Sequence, residues 1–173
     1  MQRPDPSEYH EYYRGYVENV PEGDILSLLQ TEVVRTRSLL ERVPPKRENY
    51  AYAPGKWSVK DVVGHLIDSE RMFGYRALCF ARNDPARLPS FEQDHYSLYS
   101  NASRRPLGAL MEELECVRRS HIALFKSFDE AASARRGIAS DVEFSVRALP
   151  YIIAGHEIHH RRVLEKHYLP EVW

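Results

Sequence analysis

Cysteine is scarce in this sequence, at two residues in 173. Cys79 and Cys116 form no CxxC pair and no zinc-ribbon spacing. That argues against a disulfide framework or a thiolate metal site and suits a reducing compartment. Excess charge is missing too: 24 Lys and Arg against 25 Asp and Glu leave a net charge of -1, without the basic footprint that nucleic-acid binding requires. No apolar run is long enough to cross a bilayer. The longest, around Ala148 to Ala154, falls far short, and the tyrosine-rich start MQRPDPSEYHEYYRGYVENV lacks the apolar centre of a secretory signal. GxSxG elbow, P-loop and GxGxxG motifs are absent. So are internal repeats, an Asn-Gly hairpin signal and any sustained alternation of apolar and polar residues. The expectation is a cytoplasmic, helical protein with no nucleic-acid or membrane partner. Its length suits one domain over 1–173, with residues 1–20 as a peripheral arm.

What is present is helical spacing. Ile25, Leu29, Val33, Leu40 and Val43 recur as one face of a helix over about Asp24 to Val43, which Pro44-Pro45 stops. Ser58 and Asp61 form a capping-box pattern at the start of a second helix. Its stripe of Val62, Leu66, Phe73, Ala77 and Phe80 reaches about Arg82, and Asn83-Asp84-Pro85 ends it. Roughly twenty residues without clear periodicity follow, long enough to suggest a functional loop or crossover. A third helix carries Leu107, Leu110, Leu114, Val117, Leu124 and Phe128, and a fourth covers about Val146 to Tyr168. Pro150 predicts either a kink or a helix that effectively begins near Leu149. The fold class is all-α, a four-helix bundle with a long connection between helices two and three.

The chemistry centres on His156-Glu157-Ile158-His159-His160. Residues four apart share a helical face, so His156 and His160 can direct two imidazoles at one ion. A third ligand has to come from elsewhere, and His65, set among core-facing residues of the second helix, is the natural candidate. Three imidazoles leave an open, catalytic type of coordination sphere for zinc, nickel or a related ion. The plain alternative is that these are hydrogen-bonded core histidines, since an HxxxH pair arises easily by chance. His121 is a rival ligand or a core histidine, and His159 falls on the other flank. Asp61 or Asp68 could orient His65, or else cap a helix and face solvent. The pentad also spells HExxH, in which Glu157 would be a general base, but the short stretch after His160 offers no zincin-type third ligand. The tyrosines and arginines along 9–16 and 71–76 suggest packing and surface charge.

The run Tyr50-Ala51-Tyr52-Ala53-Pro54-Gly55-Lys56-Trp57-Ser58, continuing through Asp61, Gly64-His65-Leu66-Ile67-Asp68-Ser69-Glu70-Arg71 and Tyr75-Arg76-Ala77-Leu78, resembles the DinB-like (DinB/YfiT) superfamily. The likeness extends to Leu88-Pro89-Ser90-Phe91-Glu92-Gln93-Asp94, to Ser145-Val146-Arg147-Ala148-Leu149 and to Ile152 through His160, covering about Tyr16 to Leu169. The resemblance implies a bundle of up-down-down-up type, often a homodimer. It also implies a divalent metal bound by one histidine of helix two and two of helix four, here His65, His156 and His160. Relatives with assigned activities are bacillithiol S-transferases and mycothiol-dependent isomerases, whose metal activates a low-molecular-weight thiol; others are regarded as metal-dependent hydrolases. The expectation is therefore a metal-dependent enzyme acting on a small-molecule substrate, by thiol transfer first and hydrolysis second, with a non-catalytic metal-binding protein as the third reading. Pro150 and His121 depart from the family pattern, where alanine and a small polar residue are usual.

Overall fold

The computed structural model describes residues 1–169, and 170–173 lie outside the described residues. Four long helices form a bundle: α2 (Ile25–Leu40), α3 (Val59–Ala81), α5 (Leu107–Lys126) and α7 (Ala148–His167). Three short α-helices, α1 (Arg14–Asn19), α4 (Gln93–Tyr99) and α6 (Glu130–Ala134), and four single-turn 3-10 helices accompany them among the described residues. Local chemistry sets the boundaries. Asp24 caps α2 by accepting from the Ser27 amide at 3.0 Å. Ser58 and Asp61 close the expected capping box at α3, where Asp61 Oδ2 accepts from the Ser58 amide at 2.9 Å. Pro150 causes no interruption, because α7 begins at Ala148 and places the proline in the first turn, where its missing N–H would have had no helical partner anyway.

α2 packs on α5 and α7, and α3 on the same two, so α2 lies diagonally opposite α3, and α5 opposite α7. His65 lies beside His160 while Phe73, further along α3, lies beside His156, so α3 and α7 are antiparallel. Val62 to Ile67 share one apolar cluster with Leu107 to Leu114, and Phe73 to Phe80 share the other with Ile122 and Phe125, so α3 and α5 run the same way. The long helices thus run up, down, down, up.

Between the two apolar clusters lies a buried layer of charge. Arg118 donates to Glu70 through Nε (2.6 Å) and Nη2 (2.8 Å) and to the Leu29 carbonyl through Nη1 (2.6 Å), with Glu157 Oε2 at 2.8 Å from Nη2. Glu32 sits in the same layer, held by Arg35 and Arg161. Burial raises Glu70, but Arg118 and His121 outweigh it and hold this carboxyl below its ordinary pKa. For Glu157 burial prevails over Arg118, and the pKa is raised.

The apolar–polar pattern predicts no strand, yet β1 (Arg136–Ala139) and β2 (Val142–Ser145) form an antiparallel hairpin before α7. Four-residue strands are too short to show alternation. The two-residue turn is Ser140-Asp141 rather than Asn-Gly, with both residues at positive φ (53° and 59°), as a primed hairpin turn requires. Leu88 is tied to this hairpin by bonds to Ile138 O and from the Ser140 amide, which pins the long 84–104 connection. The N-terminal segment lies against α7. Val17 and Val20 are buried, and a Cβ on Gly155 would stand 1.9 Å from the Tyr16 carbonyl oxygen, so the close approach of α1 needs glycine there. Among the described residues no helix is long and apolar enough to cross a membrane.

Candidate metal centre

His65 projects from the second turn of α3, and His156 and His160 project one turn apart from α7. The antiparallel crossing of the two helices brings all three together. His65 Nε2 is 3.0 Å from His156 Nε2, which is 3.1 Å from His160 Nε2, and one nitrogen of each ring lies within 4.8 Å of the others. His65 and His156 are buried and His160 is half-buried. Burial pushes the His65 pKa down to about 4. Burial, with His65 and His159 nearby, takes His160 to about 3. His156 is held well below its ordinary value by burial and by His160, His65 and His159. At neutral pH all three rings are therefore uncharged and can offer lone pairs.

The geometry tests whether an ion suits these residues. A neutral imidazole Nε2 either donates one hydrogen or accepts, so a single hydrogen satisfies only one of the two contacts that meet at His156. A cation satisfies all three nitrogens together. Nitrogens about 2.0–2.1 Å from one ion stand roughly 3.0–3.4 Å apart; the His65–His156 and His156–His160 spacings agree, and His65 and His160 lie within 4.8 Å of each other. The residues present fit a divalent metal of borderline softness.

The other residues suggested by the sequence are placed elsewhere. His121 lies on the far side of the polar layer, with Nδ1 3.6 Å from Glu70 Oε1. Asp61 is taken up in the capping box of α3, where its Oδ2 accepts from the Ser58 amide and hydroxyl. The side-chain oxygen beside His65 is not Asp68 but Ser69 Oγ, at 3.4 Å from Nδ1. Glu157 points into the bundle towards Arg118, away from the cluster. His159 is at the surface, edge-on to Tyr16.

The histidines open onto a cavity of about 470 Å³. The Trp57 ring lies tilted against His65 with centroids 4.6 Å apart, and Tyr16 packs edge-on to His156 at 5.4 Å. Tyr12, Tyr13 and Phe73 extend the aromatic wall; Phe91, Glu92 and Gln93 of the long connection, Ser140 of the hairpin turn and Arg76 complete it. Tyr12, Tyr13, Tyr16 and Arg76, which the sequence pattern assigns to packing and surface charge, thus line the cavity. The available signal was that Arg76 continues the helical stripe of His65, Ser69 and Phe73.

The sequence profile of the DinB superfamily matches residues 28–164. Among solved structures, the chain is similar to YfiT from Bacillus subtilis, described as a probable metal-dependent hydrolase with an unusual four-helix bundle topology. The TM-score is 0.73 and the identity 15%, over 96% of this chain and 91% of that one. It is also similar to a DinB-like protein, YjoA, from Bacillus subtilis (TM-score 0.58, identity 19%, over 83% of this chain and 87% of that one). No curated protein matches it in sequence.

Proposed function

Because this chain belongs to the DinB superfamily, we propose that it is a metal-dependent enzyme in which His65, His156 and His160 hold one divalent ion, zinc or nickel. The observation that carries this reading is the convergence of three neutral imidazoles, with His156 Nε2 3.0 and 3.1 Å from the Nε2 atoms of His65 and His160 and all three within 4.8 Å, at the edge of a substrate-sized cavity. Such an ion supplies Lewis acidity, lowering the pKa of a thiol or water so that a nucleophile exists near neutral pH. The chain's own residues do the rest. Trp57, Tyr16 and Phe73 keep bulk water from the imidazoles, and the helical spacing fixes the directions of the rings.

The favoured chemistry is transfer of a low-molecular-weight thiol to a small electrophile. Sulfur bonds to the electrophilic carbon, the leaving group departs with the bonding electrons, and the thiol proton passes to solvent. What supports it over hydrolysis is Glu157: attack by water benefits from a carboxylate base, and this carboxylate is engaged by Arg118 behind the site. Hydrolysis is the second reading, favoured by the description of YfiT.

The test is elemental mass spectrometry on untagged protein purified without added metal, for wild type and the H65A, H156A and H160A variants. About one ion per chain in wild type, lost from each helical variant, supports the site. Thiol-consumption and ester-hydrolysis assays then separate the two chemistries. Wild type that is metal-free and refuses added zinc and nickel overturns the reading.

A further inference from the structure

Three cationic side chains are buried among the described residues: Lys60, Arg76 and Arg118. Lys60 pairs with Glu48, and Arg118 with Glu70 and Glu157. Arg76, only 1% exposed, has no carboxylate within ion-pair distance. Its Nη2 donates to Ser140 Oγ (2.8 Å) and the Pro89 carbonyl (3.3 Å), the Tyr13 hydroxyl lies beside it, and its Nε has no acceptor. Phe73 and Phe144 rings stand 5.6 and 6.0 Å from the guanidinium carbon. An ion taken out of water without a counter-ion carries a heavy desolvation penalty. Aromatic faces and neutral acceptors offset only part of that, and the shortfall lies on the wall of the cavity that opens at the histidines.

We propose that Arg76 anchors the carboxylate of a small organic acid whose flat apolar body lies along Tyr13 and Phe73 and whose far end reaches the histidine cluster. The inference deepens the proposed function and rests on its reading of this cavity as the substrate site. Spacing supports the pose. Arg76 follows His65 by eleven residues, about 16 Å along the helix and within about 20° of the same face, so one substrate can lie along α3 between the two. Charge selects the ligand class. A single guanidinium matches a monoanion, and its planar fork fits a carboxylate. The Pro89 carbonyl oxygen beside it and Glu92 on the same wall oppose a phosphate dianion. Glu92 is itself occupied as the cap of α4, accepting from the Asp94 and His95 amides.

Isothermal titration of the full chain with trans-cinnamate, its neutral isostere cinnamamide and phenyl phosphate tests this. The expected result is that cinnamate binds wild type at least tenfold more tightly than cinnamamide, and that R76M weakens cinnamate about tenfold to a hundredfold. The same variant leaves cinnamamide binding and metal content unchanged. If R76M does not fold, R76K and the wild-type comparison of acid with amide carry the test. Equal affinity for acid and amide, no binding of any probe at millimolar concentration, or unchanged cinnamate binding in a folded Arg76 variant overturns the proposal. Tighter binding of phenyl phosphate than of cinnamate overturns the carboxylate assignment. Titration after chelation separates this inference from the metal reading. Cinnamate affinity that depends on the metal and not on Arg76 sinks the anchor and leaves the metal site. Affinity that depends on Arg76 in a protein that never takes up metal does the reverse.

Discussion

Glu157 stands next to His156 in a string that spells a protease motif, yet its carboxylate belongs to the buried charge layer and not to the histidine cluster. Removing it leaves Arg118 paired with Glu70 alone and strands half of a buried network. We expect E157A to lower unfolding free energy by about 2–4 kcal/mol while metal content stays as in wild type, as read by urea titration and elemental analysis. Loss of metal from a folded E157A protein would place Glu157 at the site after all. R118M leaves two buried carboxylates without their cation, and the cost should be larger, about 3–5 kcal/mol, a large share of the stability of an ordinary domain. At this scale the sequence was legible where chemistry recurs at a fixed interval. His156 and His160 announce themselves by a spacing of four, and His65 by its place on an apolar stripe. Arg76 did not, because an arginine on a helix is usually a solvated group. Only the hairpin, the N-terminal segment and the long connection closing around it show that it is buried.

Elements position these residues through a few close approaches. The N-terminal segment carries Tyr16 to the histidines, and two features hold it: the bare backbone of Gly155 under Tyr16, and the clasp of Glu8 by Arg147 at the start of α7, with Nε to Oε2 at 2.7 Å and Nη2 to Oε1 at 2.5 Å. A methyl group at residue 155 would have to displace backbone, so G155A should cost about 1–3 kcal/mol and raise amide hydrogen exchange across 14–19. Unaltered exchange there would mean the contact is loose. Arg147 is the main cause that lowers the Glu8 pKa from 4.5 to about 2. A depressed carboxyl contributes stability that is complete above about pH 4.5 and fades as the pH falls towards 2. E8Q should therefore be on the order of 2 kcal/mol less stable than wild type at pH 7 and indistinguishable from it near pH 2, as measured by denaturant melts across that range. A constant difference at every pH would remove the ion pair as the cause. The four long helices and the capping box at Ser58 were readable because periodicity and end signals agree along each segment. The hairpin was not, since its strands are too short to alternate and its positive-φ turn uses Ser-Asp.

Across the whole molecule, the histidines bridge α3 and α7, helices joined in sequence only through the long connection, α4, α5, α6 and the hairpin. An ion bound there joins two halves of the bundle, and anything that binds the folded chain and not the unfolded one stabilises it by mass action. A metal present at about a hundred times its Kd adds about 2.7 kcal/mol. For a chain of this size each kcal/mol moves Tm by about 2–4 °C. Zinc or nickel added to chelated wild type should therefore raise Tm by roughly 5–10 °C, and H160A should abolish the shift while its own metal-free Tm stays near that of metal-free wild type. The control matters because an imidazole in a crowded core could stabilise by packing alone. In that case H160A would lower Tm equally with and without metal, and the cluster would be three core histidines rather than one site.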